Sequence, residues 1–124
     1  MKDVNDVDQE RLTTIDGEQL KRRYDLEKPD NQDRRNGYAL VNVLSREAFE
    51  AEHIPGSINI PRGREEQFEQ RFDKAKEIVV YCASFECDAS AAVASRLAER
   101  GFTTVRDYEG GMGDWKVSGN PVEP

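Results

Sequence analysis

The chain has 124 residues, the size of one ordinary domain. Charged residues make up 35% and hydrophobic ones 36%, which predicts a modest core and some solvated segments. The formal net charge of −7 argues against nucleic acid and anionic membrane as partners, since both require clustered Lys and Arg.

No apolar stretch approaches the roughly 18 residues that a membrane span needs. The first residues, "MKDVNDVDQER", carry no apolar signal region, so export is not expected. Two cysteines, Cys82 and Cys87, and a single histidine, His53, make neither a disulfide scaffold nor a zinc site. The expectation is a reduced, cytoplasmic protein without metal or cofactor.

In chain order, residues 1–11 are polar and expected to be flexible, and residues 12–124 form the domain. "LTTI" (12–15) is a short strand. Asp16 with Gln19 fits a capping box for "GEQLKRRY", where Leu20 and Tyr24 share one helical face. Residues 25–37 form a long polar surface loop with Pro29 and Gly37. "YALVNV" (38–43) is a nearly continuous apolar run, the pattern of a strand covered on both faces in a parallel sheet. Ser45 is the N-cap candidate of "REAFEAEH", which cannot continue past Pro55. "SINI" (57–60) is a short strand, and a polar helix bearing Phe68 and Phe72 follows. "IVVY" (78–81) is the second buried strand. Ala89, Ala92, Val93 and Leu97 then mark an apolar helical stripe closed by Gly101. "TTVRDY" is a last strand, followed by a glycine turn and a short helix with Trp115 in the core. Strands and helices alternate throughout, so the predicted class is α/β, with a mainly parallel central sheet flanked by helices on both faces.

The chemistry concentrates in "VVYCASFECDAS" (79–90). Parallel sheets place ligand sites at the carboxyl ends of their strands, which is where Cys82 falls. The loop after it leads into a helix N-terminus, whose free N–H groups and dipole favour an anion and lower cysteine pKa values. Cys82 is therefore either a nucleophilic thiolate or a small buried hydrophobe, and spacing alone leaves both readings open. Cys87 is either a resolving partner able to exchange with Cys82 or an incidental loop residue. His53, in "HIPG", is expected to order a turn rather than act as a base. The glycines of "EGGMGDW" lack the Lys-Ser/Thr of a phosphate loop and are expected to make a tight turn.

From residue 12 onward the chain resembles the rhodanese-like domain family. "LVNVLSREAFEAEHIPGSINIP" is similar to that family's first signature. "VVYCASFECDAS" stands in the place of its active-site strand and loop, and "YEGGMGDWKVSGNPVEP" resembles its closing segment. The resemblance implies a sulfurtransferase in which Cys82 takes up a sulfane sulfur as a persulfide. It then passes that sulfur to a thiol or cyanide acceptor. The substrate would lie in the loop of Ala83, Ser84, Phe85, Glu86, Cys87, Asp88, Ala89 and Ser90. The donor would be a small sulfur compound or a persulfide on another protein.

Three features depart from the family pattern. Asn42 and Leu44 stand where Asp and Arg are usual. The loop is longer than the common form, judged by the distance from Cys82 to Gly101. No Arg or Lys lies between Cys82 and Ser90, where members often carry one. Weak use of thiosulfate is expected, with Glu86 and Asp88 disfavouring small anionic donors. The phosphatase relatives of the fold require an Arg where Asp88 stands, and a carboxylate there would repel a phosphate dianion. The rival to the enzyme is a non-catalytic interaction or regulatory module of the same fold, with the acidic loop as its docking surface.

Overall fold

Five short strands form one parallel sheet in the computed structural model, which describes residues 12–124. They are β1 (Leu12–Thr14), β2 (Tyr38–Asn42), β3 (Ile58–Asn59), β4 (Glu77–Tyr81) and β5 (Thr104–Tyr108). Their order across the sheet is β1-β5-β4-β2-β3, which makes β4 the central strand. Leu40 of β2 lies opposite Val79 of β4, and Val80 lies opposite Asp107 of β5. The helices are α1 (Gly17–Leu26), α2 (Arg46–Ala51), α3 (Glu66–Arg71), α4 (Ala89–Glu99) and α5 (Gly111–Val117). The α/β class and parallel sheet expected from the alternation are both present. The segment expected to be flexible, residues 1–11, lies outside the described residues.

The continuous apolar runs follow from burial on both faces. On one face Ala39, Val41, Ile78, Val80 and Val105 pack with Phe68, Phe72, Val93, Ala94 and Leu97. On the other, Tyr38, Leu40, Val79 and Tyr81 pack with Leu20, Tyr24 and Trp115. Removing each large side chain from water contributes on the order of 1.5–3 kcal/mol, so the central strands are where most of the stability resides.

Local signals end where expected. Asp16 accepts the Gln19 N–H at 2.8 Å while the Gln19 side chain accepts the Asp16 N–H at 3.0 Å, completing the capping box of α1. Ser45 caps α2 through the Ala48 N–H at 3.2 Å. Gly101, at φ +100°, takes the left-handed turn that ends α4.

Three local details differ from expectation. The apolar stripe of α4 runs through Ser90, Val93, Ala94, Leu97 and Ala98, while Ala89 and Ala92 are only half-buried. The helix phase turns Ser90, a polar residue, toward the sheet. The strand expected over 57–60 shortens to β3 because the Ser57 N–H is already taken by the Ile54 carbonyl in a turn. The polar loop before β2 has a firm anchor. Lys76 is fully buried, and its ammonium donates to the carbonyl oxygens of Asp30, Asp33 and Asn36 at 2.8, 2.7 and 2.5 Å.

Candidate active site

β4 ends at Tyr81 and delivers Cys82 to the carboxyl edge of the sheet, at its centre. The chain there is clamped by backbone alone. The Met112 N–H donates to the Cys82 carbonyl at 2.9 Å, and the Gly113 N–H donates to the Ala83 carbonyl at 2.7 Å. This approach needs Gly111. Its φ is +59°, and a Cβ there would sit 2.3 Å from the Cys82 carbonyl oxygen. The glycines of "EGGMGDW" thus make a tight turn, as expected, and the turn grips the start of the loop.

Cys82 is fully enclosed, among the apolar residues on the α4 side of the sheet. Its Sγ lies 3.5 Å from the Cys87 carbonyl oxygen and 3.5 Å from the Ser90 hydroxyl oxygen. Burial, first, and the hydrogen bond with Cys87 push the thiol up; the Ser90 hydroxyl and N–H pull in the opposite direction without reversing it. The expectation that the helix N-terminus lowers this thiol is therefore corrected. Desolvation at a closed site outweighs two donors and the end of one helix.

Cys87 is half-buried. The loop folds back through a turn in which the Cys87 N–H donates to the Ser84 carbonyl at 3.0 Å. Burial opposes ionisation of Cys87, but the neighbouring Cys82 thiol and the N–H groups of Ala83 and Ala89 favour its thiolate and hold it below the usual thiol range. Of the expected loop residues, Cys82, Cys87 and Ser90 come together, with Ala83 and Ala89 lending amides. Phe85, Glu86 and Asp88 face solvent, Phe85 with 72% of its surface exposed. The Asp88 carboxylate lies 3.5 Å from the Arg62 guanidinium.

A match to the rhodanese-like domain family spans residues 18–118. The chain belongs to the rhodanese-like family. It is 32% identical over 85 residues to the thiosulfate sulfurtransferase GlpE of Pseudomonas syringae, a match covering 68% of this chain and 78% of that one. It is 34% identical over 84 residues to the HTH-type transcriptional regulator Rv0324 of Mycobacterium tuberculosis, covering 68% of this chain and 37% of the regulator. Among solved structures, the BH2092 protein of Bacillus halodurans superposes with a TM-score of 0.77 at 28% identity, over 90% of this chain and 76% of that one.

Within this rhodanese-like domain two neighbours of the site escaped the sequence. Asp107, on β5, is 4% exposed, and one of its carboxylate oxygens has no hydrogen-bond partner. Burial, as the main cause, with a smaller push from the charge of Glu109, raises the pKa of this carboxyl, and the neighbouring Ser90 hydroxyl opposes the rise. The available signal was an acid two positions after Val105, on the face of β5 that packs inward. Arg62 is the other. It lies far from the loop in sequence, and nothing local marks it.

His53 behaves as a turn residue. Its Nδ1 lies 2.8 Å from the Phe49 carbonyl oxygen, its ring stacks on Phe49, and its backbone bridges to Glu123. Among the described residues no group of three or more His, Cys, Asp or Glu could hold a metal ion, and no helix is long and apolar enough to cross a membrane.

Proposed function

We propose that the protein is a rhodanese-type sulfurtransferase that carries sulfane sulfur as a Cys82 persulfide. The observation that carries this reading is the position of Cys82. It ends the central parallel strand, its backbone is held by the Gly111 turn, and the Ser90 hydroxyl lies against its sulfur. The family's sulfurtransferase relatives support the reaction class.

In the proposed reaction the Cys82 proton passes to Ser90 as the Ser90 proton passes to the Asp107 carboxylate. The Cys82 sulfur then attacks the sulfane sulfur of the donor. The new S–S bond forms as the donor's bond breaks, and the donor leaves with the electron pair. Cyanide or a thiolate acceptor takes the outer sulfur in the second half. A carboxylate held in an apolar site is a stronger base than one in water, which matches Asp107 to a thiol that burial has made reluctant to ionise.

The donor we favour is a persulfide, small or carried on a protein, rather than thiosulfate. The loop holds no cation, and Arg62 faces Asp88. The surface beside the loop is mainly apolar: Phe85 and Val117 are exposed, and a groove of about 490 Å³ is lined by Leu44, Ala48, Ala51, Ala83 and Met112, together with the Glu52–Lys116 ion pair. Since Cys82 is enclosed, a donor reaches its sulfur only when the loop of residues 84–88 moves aside. Two free thiols fit a reducing, cytoplasmic setting.

The test is intact mass spectrometry after incubation with glutathione persulfide and, separately, with thiosulfate. One sulfur should be added and map to the Cys82 peptide, faster with the persulfide, and Cys82→Ser should gain none. A chain that takes sulfur from neither donor would favour the regulatory module, the role suggested by the regulator among its relatives.

A further inference from the structure

The two cysteines of the loop lie against each other, and their thiols have opposite environments. Cys82 is enclosed and keeps its proton, with its S–H directed to acceptors on Cys87 and Ser90. Cys87 is reachable from solvent and packs against the edge of the same apolar cluster, and its thiol is held below the usual range. The turn from the Ser84 carbonyl to the Cys87 N–H brings the chain back on itself over these few residues. Thiol–disulfide chemistry needs an attacking thiolate in contact with the sulfur it attacks. Cys87 packs against the apolar cluster that holds Cys82, and its carbonyl oxygen lies 3.5 Å from Cys82 Sγ. In a persulfide that atom is the inner sulfur, and the outer one extends away from it.

We propose that Cys87 is the resolving residue of this rhodanese-like domain: its sulfur attacks the inner sulfur of the Cys82 persulfide, expels the outer sulfur as hydrosulfide, and leaves a Cys82–Cys87 disulfide. This rests on the Cys82 persulfide proposed above. The step is balanced. The Cys82–Cys87 bond forms as the bond between Cys82 and the outer sulfur breaks, and the departing hydrosulfide takes that electron pair. The sulfane sulfur is reduced by two electrons and the two protein thiols are oxidised by two. An external dithiol, small or protein-borne, returns the pair to thiols and becomes a disulfide itself. The overall activity is reductive release of sulfide from a persulfide donor, with the half-exposed Cys87 as the sulfur that the dithiol attacks.

The asymmetry of the site favours this order over the reverse. Cys82 is the better-shielded sulfur, which protects a persulfide from solvent. Cys87 is the more exposed thiol, and the N–H groups of Ala83 and Ala89 still favour its thiolate once the persulfide has replaced the Cys82 proton.

The experiment loads the full chain with glutathione persulfide, removes the donor by gel filtration, and follows free sulfide and non-reducing intact mass without added thiol. The parent should release about one sulfide per chain and end as an internal disulfide between the Cys82 and Cys87 peptides. Cys87→Ser and Cys87→Ala, both checked for native circular dichroism, should keep the added sulfur on Cys82 and release sulfide only when dithiothreitol is supplied. If the parent holds its persulfide as long as the variants do, or if the sulfur is found on Cys87, the resolving role is overturned while the Cys82 persulfide stands. If neither variant gains sulfur on Cys82, both fall together.

Discussion

The Ser90 hydroxyl oxygen lies 3.5 Å from the Cys82 sulfur, and the same hydroxyl favours the ionised form of the neighbouring, buried Asp107. Ser90 therefore stands between a protonated thiol and a buried carboxylate. Ser90→Ala should slow persulfide formation at neutral pH by roughly tenfold or more, because proton transfer from Cys82 loses its route. The pH of half-maximal loading rate should rise. A merely structural role would lower the rate at every pH without moving that midpoint.

Asp107 has opposite consequences for stability and for rate. The folded chain holds its proton more tightly than the unfolded chain does. Its contribution is therefore fully present below the ordinary carboxylate pKa of 3.8 and lost as pH rises through the raised, folded value. Asp107→Asn removes that loss. Calorimetry from about pH 3 to about pH 8 should find the variant melting above the parent at the neutral end, with the difference shrinking toward acid. Sulfur loading should be slower in the variant over the same range.

Gly111→Ala tests the clamp on the loop. A β-carbon would meet the Cys82 carbonyl oxygen at 2.3 Å and would occupy a left-handed conformation. The conformation alone costs about 1–2 kcal/mol, and relief of the clash must displace Cys82. Urea unfolding should show at least that loss, and the residual folded protein should load sulfur poorly.

Lys76 closes three carbonyls of the loop before β2 from a fully buried position. Lys76→Met keeps the stem and removes the donors, leaving three acceptors unsatisfied at about 1–3 kcal/mol each where water cannot replace the ammonium. Chemical denaturation should show a loss of about 3 kcal/mol or more. Proteolysis within residues 27–37 should become faster, with the persulfide chemistry little changed in the molecules that remain folded.

Asp88 is 89% exposed at its side chain and faces Arg62. An exposed pair of this kind is weak, so Asp88→Asn should raise kcat/KM for thiosulfate only a few-fold at low ionic strength, by freeing Arg62. The gain should disappear at high salt. Arg62→Gln should lower it by a comparable factor. Kinetics with a neutral persulfide donor should be nearly indifferent to both changes.

The fold was legible because its signals are local. The runs at 38–43 and 78–81 reported strands buried on both faces, and Asp16, Ser45 and Gly101 marked helix ends through contacts with near neighbours. Cys82 was legible for the same reason, as a break at the end of one such run. What stayed hidden depends on distance along the chain. Asp107 reaches Ser90 only because β5 pairs with β4, and Lys76 finds its acceptors about 40 residues away. The protonation of Cys82 was misjudged because a helix terminus is visible in sequence while complete enclosure is not. Phe85 was placed with the substrate for a similar reason: only the folded chain shows that it points outward.

The grip on the loop entrance consists of two main-chain hydrogen bonds, from the Met112 and Gly113 N–H groups to the Cys82 and Ala83 carbonyls. Neither bond depends on a side chain within the loop. The loop between Ala83 and the first turn of α4 can therefore be exchanged while these two bonds keep Cys82 in place. Reactivity in this architecture is modular. Replacing residues 84–88 with a shorter segment carrying an arginine would retune the same sulfur toward small anions, and evolution could make the same move by insertion or deletion without disturbing the sheet.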